Sequence, residues 1–277
     1  MKKEMRCAVF TGQRAVELQR FPIPEVDDDK LLVKIEACGI CTWEQRVFTG
    51  SINTDYPLIG GHEVAGRIEA IGKDVHGDWE VGQRVIVGVT LPCRSCYLCK
   101  THEEQSCQNF NTAQVLSGQP YPGTGGFSEY MMAVPYSVFP YTNVTPQEAC
   151  ICEPVSCVIH SVETVNPQFG DACVIIGAGI MGLLHTQLCV KKGCFVIVVD
   201  MNEERLEMAA SMGAHYTINP HKEHAEKRIM KITHGRKARA VFDTTPAASV
   251  VEEACRYVGN MGKLMIYSGI YPNKPVQ

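Results

Sequence analysis

An apolar run from Ala172 to Ile176 leads directly into Gly177-Ala178-Gly179-Ile180-Met181-Gly182. A helical stretch follows, and then a second apolar run that ends in Asp200. Few patterns restrict a fold more. Gly177 permits a tight turn, Gly179 lets a pyrophosphate approach the backbone, and Gly182 allows the helix to pack closely on the strand. The phosphates then meet the positive helix N-terminus. Asp200 would accept hydrogen bonds from ribose hydroxyls and repel a 2′-phosphate, so the pattern implies NAD in preference to NADP. Arg205 could neutralise a phosphate, which keeps NADP as the less favoured alternative. A plain glycine turn, with Asp200 merely capping the helix that begins near Asn202, accounts for less of the pattern, because strand, helix and acid all fall where the fingerprint needs them.

The same rhythm continues to the end of the chain. Apolar runs at Ala172–Ile176, Cys194–Val199, Tyr216–Asn219, Ala240–Thr244 and Leu264–Ser268 alternate with helical patterns at 180–192, 203–212, 222–233 and 248–258. Five short strands alternating with helices imply a doubly wound parallel sheet. The first half reads differently: short β-branched runs at 31–36, 64–71, 84–89 and 130–134, closely separated by turn signals, predict a mostly β domain with long functional loops. The boundary falls near 155, giving domains 1–155 and 156–277 and an α/β chain overall.

Composition narrows the function. With 26 basic residues against 30 acidic ones and a net charge of -4, there is no basic footprint for nucleic acid. No apolar stretch is long enough for a membrane span, and no apolar segment follows Lys2 and Lys3 as a secretory signal would require, so a cytoplasmic protein acting on small molecules is expected. In that setting 14 cysteines suggest metal ligands and buried thiols rather than disulfides. Cys150, Cys173, Cys189, Cys194 and Cys255 read as packing. Cys93, Cys96, Cys99 and Cys107, within the loop 92–108, have the spacing of four thiolates closing a tetrahedral shell around a structural zinc. Bacterial iron–sulfur runs share the first two gaps but place the fourth cysteine sooner and follow it with proline, whereas here Gln108 follows.

A catalytic zinc needs about three ligands from separated segments and an open position. Three segments offer them: Cys38-Gly39-Ile40-Cys41, Gly60-Gly61-His62-Glu63 and Cys152-Glu153-Pro154. Taken singly, each has a bland reading, as core thiols, a loop histidine or a helix-start carboxylate. Their order together with the cysteine loop and the Gly177–Gly182 turn resembles the zinc-dependent medium-chain alcohol dehydrogenases, along the whole chain. Glu153-Pro154 is similar to the polyol (sorbitol-type) and threonine dehydrogenase branch. The resemblance implies a GroES-like β domain followed by a Rossmann domain, with one catalytic and one structural zinc. It also implies Cys41 and His62 as zinc ligands, Glu153 as a third, directly or through water, and Glu63 as a residue that also reaches the metal. Cys38 aligns with a non-ligand position, Cys152 sits beside the Glu-Pro rather than replacing it, and His76, His102, His160 and His185 match no metal position and read as ordinary loop or helix histidines. The expected reaction is hydride transfer between NAD(H) and a polyol or other secondary alcohol. A non-catalytic NAD- and zinc-binding protein is the rival.

Two departures from the family stand out. Trp43 occupies the position where a Ser or Thr usually passes the alcohol proton outwards; indole can only donate, which shifts that task to Thr42, Glu44 or a zinc-bound water. Glu44 stands where an aspartate is common, and its support of His62 is expected to be longer-armed. The chain also stops soon after the fifth Rossmann strand, which is expected to leave that strand as an edge and to remove the sixth strand through which such enzymes form homo-oligomers.

Overall fold

Alternation sets the fold from the N-terminus. In β1 (Glu4–Gly12) Met5, Cys7 and Val9 are buried, with Glu4 and Arg6 exposed on the alternate positions at its start, and β1 pairs antiparallel with β2 (Ala15–Pro22). Residues 4–89, 91–109 and 118–269 are described by the computed structural model. The chain divides into two units, Met1–Glu153 and Pro154–Gln277.

In the first unit, β3 (Leu31–Cys38), α1 (Thr42–Thr49), β4 (Val64–Ile71), β5 (Arg84–Val87), α2 (Tyr97–Lys100), β6 (Tyr130–Ala133), β7 (Val138–Pro140) and α3 (Pro146–Ala149) follow in order. The strands form a five-stranded antiparallel sheet in the order β6-β3-β4-β5-β7. Leu31, Val33, Val64, Ile68, Val85 and Met131 fill its core. The sequence did not announce β1, β2 or α1. β2 is exposed along most of its length and carries little apolar signal. α1 is short and is defined by its ends: Glu44 accepts from the Cys41 N–H at the start, and Gly50, at φ +70°, closes it with N–H bonds back to the last turn.

The second unit begins within α4 (Cys152–Val165) and continues with β8 (Ala172–Ile176), α5 (Ile180–Lys191), β9 (Phe195–Val199), α6 (Glu203–Ser211), β10 (Tyr216–Ile218), α7 (Ala225–Ile232), β11 (Ala238–Asp243), α8 (Ala248–Tyr257) and β12 (Val258–Ile266). The sheet is parallel, in the order β10-β9-β8-β11-β12. Both faces are buried: Cys173, Ile175, Val196 and Val198 pack to one side, Val174, Ile176, Ile197 and Val199 to the other. That is why these strands read as unbroken apolar runs rather than alternating ones. Three expectations are corrected. α7 starts at Ala225 rather than Lys222. β12 starts at Val258, pairs with Ala238, and after an irregularity resumes at Lys263. Cys255 is exposed, because Val251, Ala254 and Tyr257 form the buried face of α8 and residue 255 points elsewhere.

His185, expected to be an ordinary helix histidine, is fully buried on α5. Its Nδ1 lies 2.8 Å from the Met181 carbonyl and its Nε2 3.0 Å from Ser161 Oγ, with the rings of Phe242 and Tyr267 against it. Burial disfavours the cation and pushes its pKa down to about 4, from an ordinary 6.5. The folded chain therefore binds fewer protons than the unfolded chain in that window, so stability falls as pH drops from 6.5 through 4. Chemical denaturation of the wild type and of His185→Leu checks this. The variant should show a flatter pH dependence between pH 6.5 and about 5, above the range in which ordinary carboxylates titrate.

Candidate metal and dinucleotide sites

The first constellation grows from the β3–β4 pair. β3 ends at Cys38 opposite Val64, so the segments leaving the two strands, 39–41 and 60–63, emerge side by side. Glu44, one turn into α1 and only 1% exposed, ties them together. Its Oε2 accepts from the Cys41 N–H at 3.0 Å, and its Oε1 accepts from the Gly61 N–H at 3.0 Å and lies 2.8 Å from His62 Nδ1. The expected support of His62 is therefore present. With Nδ1 engaged, Nε2 is the ring nitrogen available to a metal. Trp43 packs edge-on to the His62 ring, with centroids 6.2 Å apart.

Donor atoms of Cys41, His62 and Glu63 all lie within 4.8 Å of one another. A thiol, an imidazole and a carboxylate in that space match a zinc donor set. Glu63 is the third donor of this cluster. Glu153 stands half-buried in the first turn of α4, and its charge is felt by both His62 and Glu63. Burial alone would hold down the charge on His62, but the Cys41 and Glu44 side chains override it and push the pKa up to about 10. Cys41 answers in the opposite sense: burial opposes its ionisation, yet hydrogen bonds with His62, the Trp43 backbone and Thr42 lower its pKa. Thr42 Oγ1 lies 3.8 Å from Cys41 Sγ on the exposed side. Cys38 differs: burial, then the Glu44 charge, push it up to about 12, the behaviour of a packed neutral thiol.

The second constellation is the loop carrying α2. Sulfur–sulfur separations are 4.0 Å for Cys93–Cys99, 3.5 Å for Cys96–Cys99 and 4.0 Å for Cys96–Cys107. A tetrahedron of thiolates at the usual zinc–sulfur distance has edges of about 3.8 Å, so the four sulfurs are spaced to receive the ion. Backbone amides already face them: the Cys96 N–H is 3.3 Å from Cys93 Sγ, and the Cys93 N–H is 3.3 Å from Cys107 Sγ. The Ser95 hydroxyl, and then its amide and Asn109, lower the pKa of Cys93.

The third lies at the C-terminal ends of β8 and β11, where the strand order of the parallel sheet reverses, the usual ligand crevice of such sheets. The three glycines separate by role. Gly177 has φ +90°, and a Cβ there would lie 2.7 Å from Thr244 Oγ1. One on Gly182 would lie 1.8 Å from the Gly177 carbonyl oxygen, so this glycine serves helix-to-strand packing. One on Gly179, which caps α5, would meet no protein atom: the space beside it is left open, as a ligand phosphate would need. Asp200 accepts from the Ala178 N–H at 2.6 Å and the Asn202 N–H at 2.8 Å, holding the turn to the end of β9. The helix cap is Asn202, whose Oδ1 accepts from the Arg205 N–H, and Arg205 itself is exposed.

With this geometry established, comparison with known proteins is decisive. D-arabinitol dehydrogenase 1 of Uromyces fabae is 30% identical over 98% of this chain and 76% of its own length. The chain belongs to the zinc-dependent medium-chain dehydrogenases. Residues 27–143 match the alcohol dehydrogenase GroES-like domain, and residues 181–277 match the zinc-binding dehydrogenase family. Sorbitol dehydrogenase of Bacillus subtilis is 31% identical over 95% of the chain and 75% of its own length. Among solved structures, a zinc-binding dehydrogenase of Sinorhizobium meliloti 1021 bound to NADP superposes with a TM-score of 0.90 at 25% identity, covering 100% of this chain and 80% of that one. This zinc-dependent dehydrogenase is accordingly an oxidoreductase with a nicotinamide cofactor. No helix among its described residues is long and apolar enough to cross a membrane.

Two tests follow from this geometry. Glu44→Ala removes the acceptor for two backbone N–H groups and the partner of His62, so metal affinity at the Cys41–His62 site should fall by about 10- to 100-fold, measured by competition with a chelator. Gly179→Val should leave thermal stability nearly unchanged while weakening cofactor binding measured by fluorescence titration, whereas Gly182→Val should unfold the second unit more readily.

Proposed function

We propose that the chain oxidises a polyol or other secondary alcohol with NAD, and reduces the corresponding ketone in reverse. The carrying observation is the close approach of Cys41, His62 and Glu63, with Glu44 holding two of the three segments in place. The names of the relatives support the substrate class: arabinitol and sorbitol are both polyols. Asp200 favours NAD, since a carboxylate at the end of the second strand repels a 2′-phosphate, although the Sinorhizobium meliloti structure holds NADP.

In this reading Cys41 and His62 bind the catalytic zinc, Glu153 joins them directly or through water, and Glu63 reaches the same position. Cys93, Cys96, Cys99 and Cys107 hold the structural zinc. When bound, the catalytic zinc supplies Lewis acidity towards the alcohol oxygen, and the nicotinamide supplies the hydride acceptor. The residues of the chain do the rest. Glu44 keeps the proton of His62 on Nδ1 and leaves Nε2 as a donor to the metal. Trp43 cannot accept a proton and covers one edge of the His62 ring. Glu44 is fully occupied by two amides and the imidazole, so Thr42, exposed beside Cys41, is the residue placed to pass the alcohol proton to solvent. Gly177, Gly179 and Gly182 shape the pyrophosphate turn, and Asp200 receives the adenosine ribose.

Metal analysis combined with a screen for NADH formation across polyols, threonine and simple alcohols tests the proposal. The wild type should contain both catalytic and structural zinc and should form NADH with a polyol. His62→Ala should lose the catalytic zinc and turnover while still binding NAD. Full activity in His62→Ala would overturn the proposal, and NAD binding with no turnover of any alcohol would favour the non-catalytic NAD- and zinc-binding rival.

A further inference from the structure

One step beyond the last β3–β4 pair, Gly39 lies opposite Glu63, and its N–H donates to the Glu63 carbonyl at 2.9 Å. This cross-strand placement lays the Glu63 side chain over the Gly39 α-carbon. A Cβ on residue 39 would lie 1.8 Å from Glu63 Oε2, 2.8 Å from its Cδ and 3.0 Å from its Cβ. The carboxylate thus fills the volume that any other side chain at 39 would claim. Backbone strain does not explain the glycine, because Gly39 lies outside the left-handed region that favours this residue. From that volume Glu63 brings an oxygen within 4.8 Å of the Cys41 and His62 donors.

We propose that Gly39 is a positioning residue of the metal centre: its missing side chain admits the Glu63 carboxylate beside Cys41 and His62. This rests on the reading of Cys41 and His62 as a zinc site. Gly39 has no side-chain donor to offer a metal. It acts by leaving room, and it determines whether Glu63 can serve the centre at all. With the room filled, Glu63 turns outward, and Glu153 is the carboxylate left to accompany the two ligands.

Zinc competition with a chelator and the visible spectrum of the cobalt-substituted protein read the centre without relying on turnover. Gly39→Ala is expected to weaken zinc at the Cys41–His62 site by about tenfold or more and to change the cobalt spectrum in the same way as Glu63→Gln. The double variant Gly39→Ala/Glu63→Gln should match the single variants rather than multiply their effects, because both act through one carboxylate. If the methyl group also disturbs folding, Gly39→Ala/Glu63→Ala, in which it has room, should melt at a higher temperature than Gly39→Ala. The four-cysteine site should keep its metal in every variant. Wild-type zinc affinity and cobalt spectrum in Gly39→Ala, or effects that multiply in the Glu63→Gln double variant, would overturn the proposal while leaving the zinc site intact. A wild-type chain that takes metal only at the four cysteines would overturn both.

Discussion

The Glu44 carboxylate is the interaction on which the first unit's chemistry depends. A buried carboxylate is costly unless each oxygen is engaged. Here the Cys41 amide, the Gly61 amide and the His62 ring engage it, so the group that α1 buries also joins the two loops leaving β3 and β4. Hydrogen bonds to a carboxylate belong to the stronger class. The closeness of the Cys41, His62 and Glu63 donors is thus tied to the two segments that this carboxylate joins.

The second unit is organised by close approach rather than by charge. Gly182 lies against the Gly177 carbonyl, Gly177 against Thr244, and Asp200 reaches across from β9 to the Ala178 amide. These contacts join the ends of three strands, β8, β9 and β11, around one turn. The open space beside Gly179 is the exception within an otherwise filled arrangement.

Much of this was legible in the sequence because the constraints are local. The Gly177–Gly182 turn demands glycine at positions where another residue would clash, and the four-cysteine loop demands a spacing that sulfur geometry dictates. The buried strands of the parallel sheet announced themselves as apolar runs because both faces are covered. What escaped depends on partners distant in sequence. The burial of His185 needs Ser161, Phe242 and Tyr267 around it. The seat of Glu63 needs the β3–β4 register that puts Gly39 opposite it, and the exposure of Cys255 follows from which face of α8 meets the sheet. Glu63 and Glu153 were both named from resemblance, and the grouping of Glu63 with Cys41 and His62 depends on a placement that composition and spacing could not give.

Trp43 lies between the two residues through which α1 holds the Cys41–His62–Glu63 cluster, Cys41 as its cap and Glu44 as its tether; its backbone faces the Cys41 sulfur, while its side chain takes no part in the Glu44 bonds. Its indole rests against the imidazole edge and adds bulk there without bearing on the tether. Holding the donors and packing beside the imidazole are thus separate tasks assigned to neighbouring positions. A smaller side chain at residue 43 would leave untouched the Glu44 bonds that hold the two segments together.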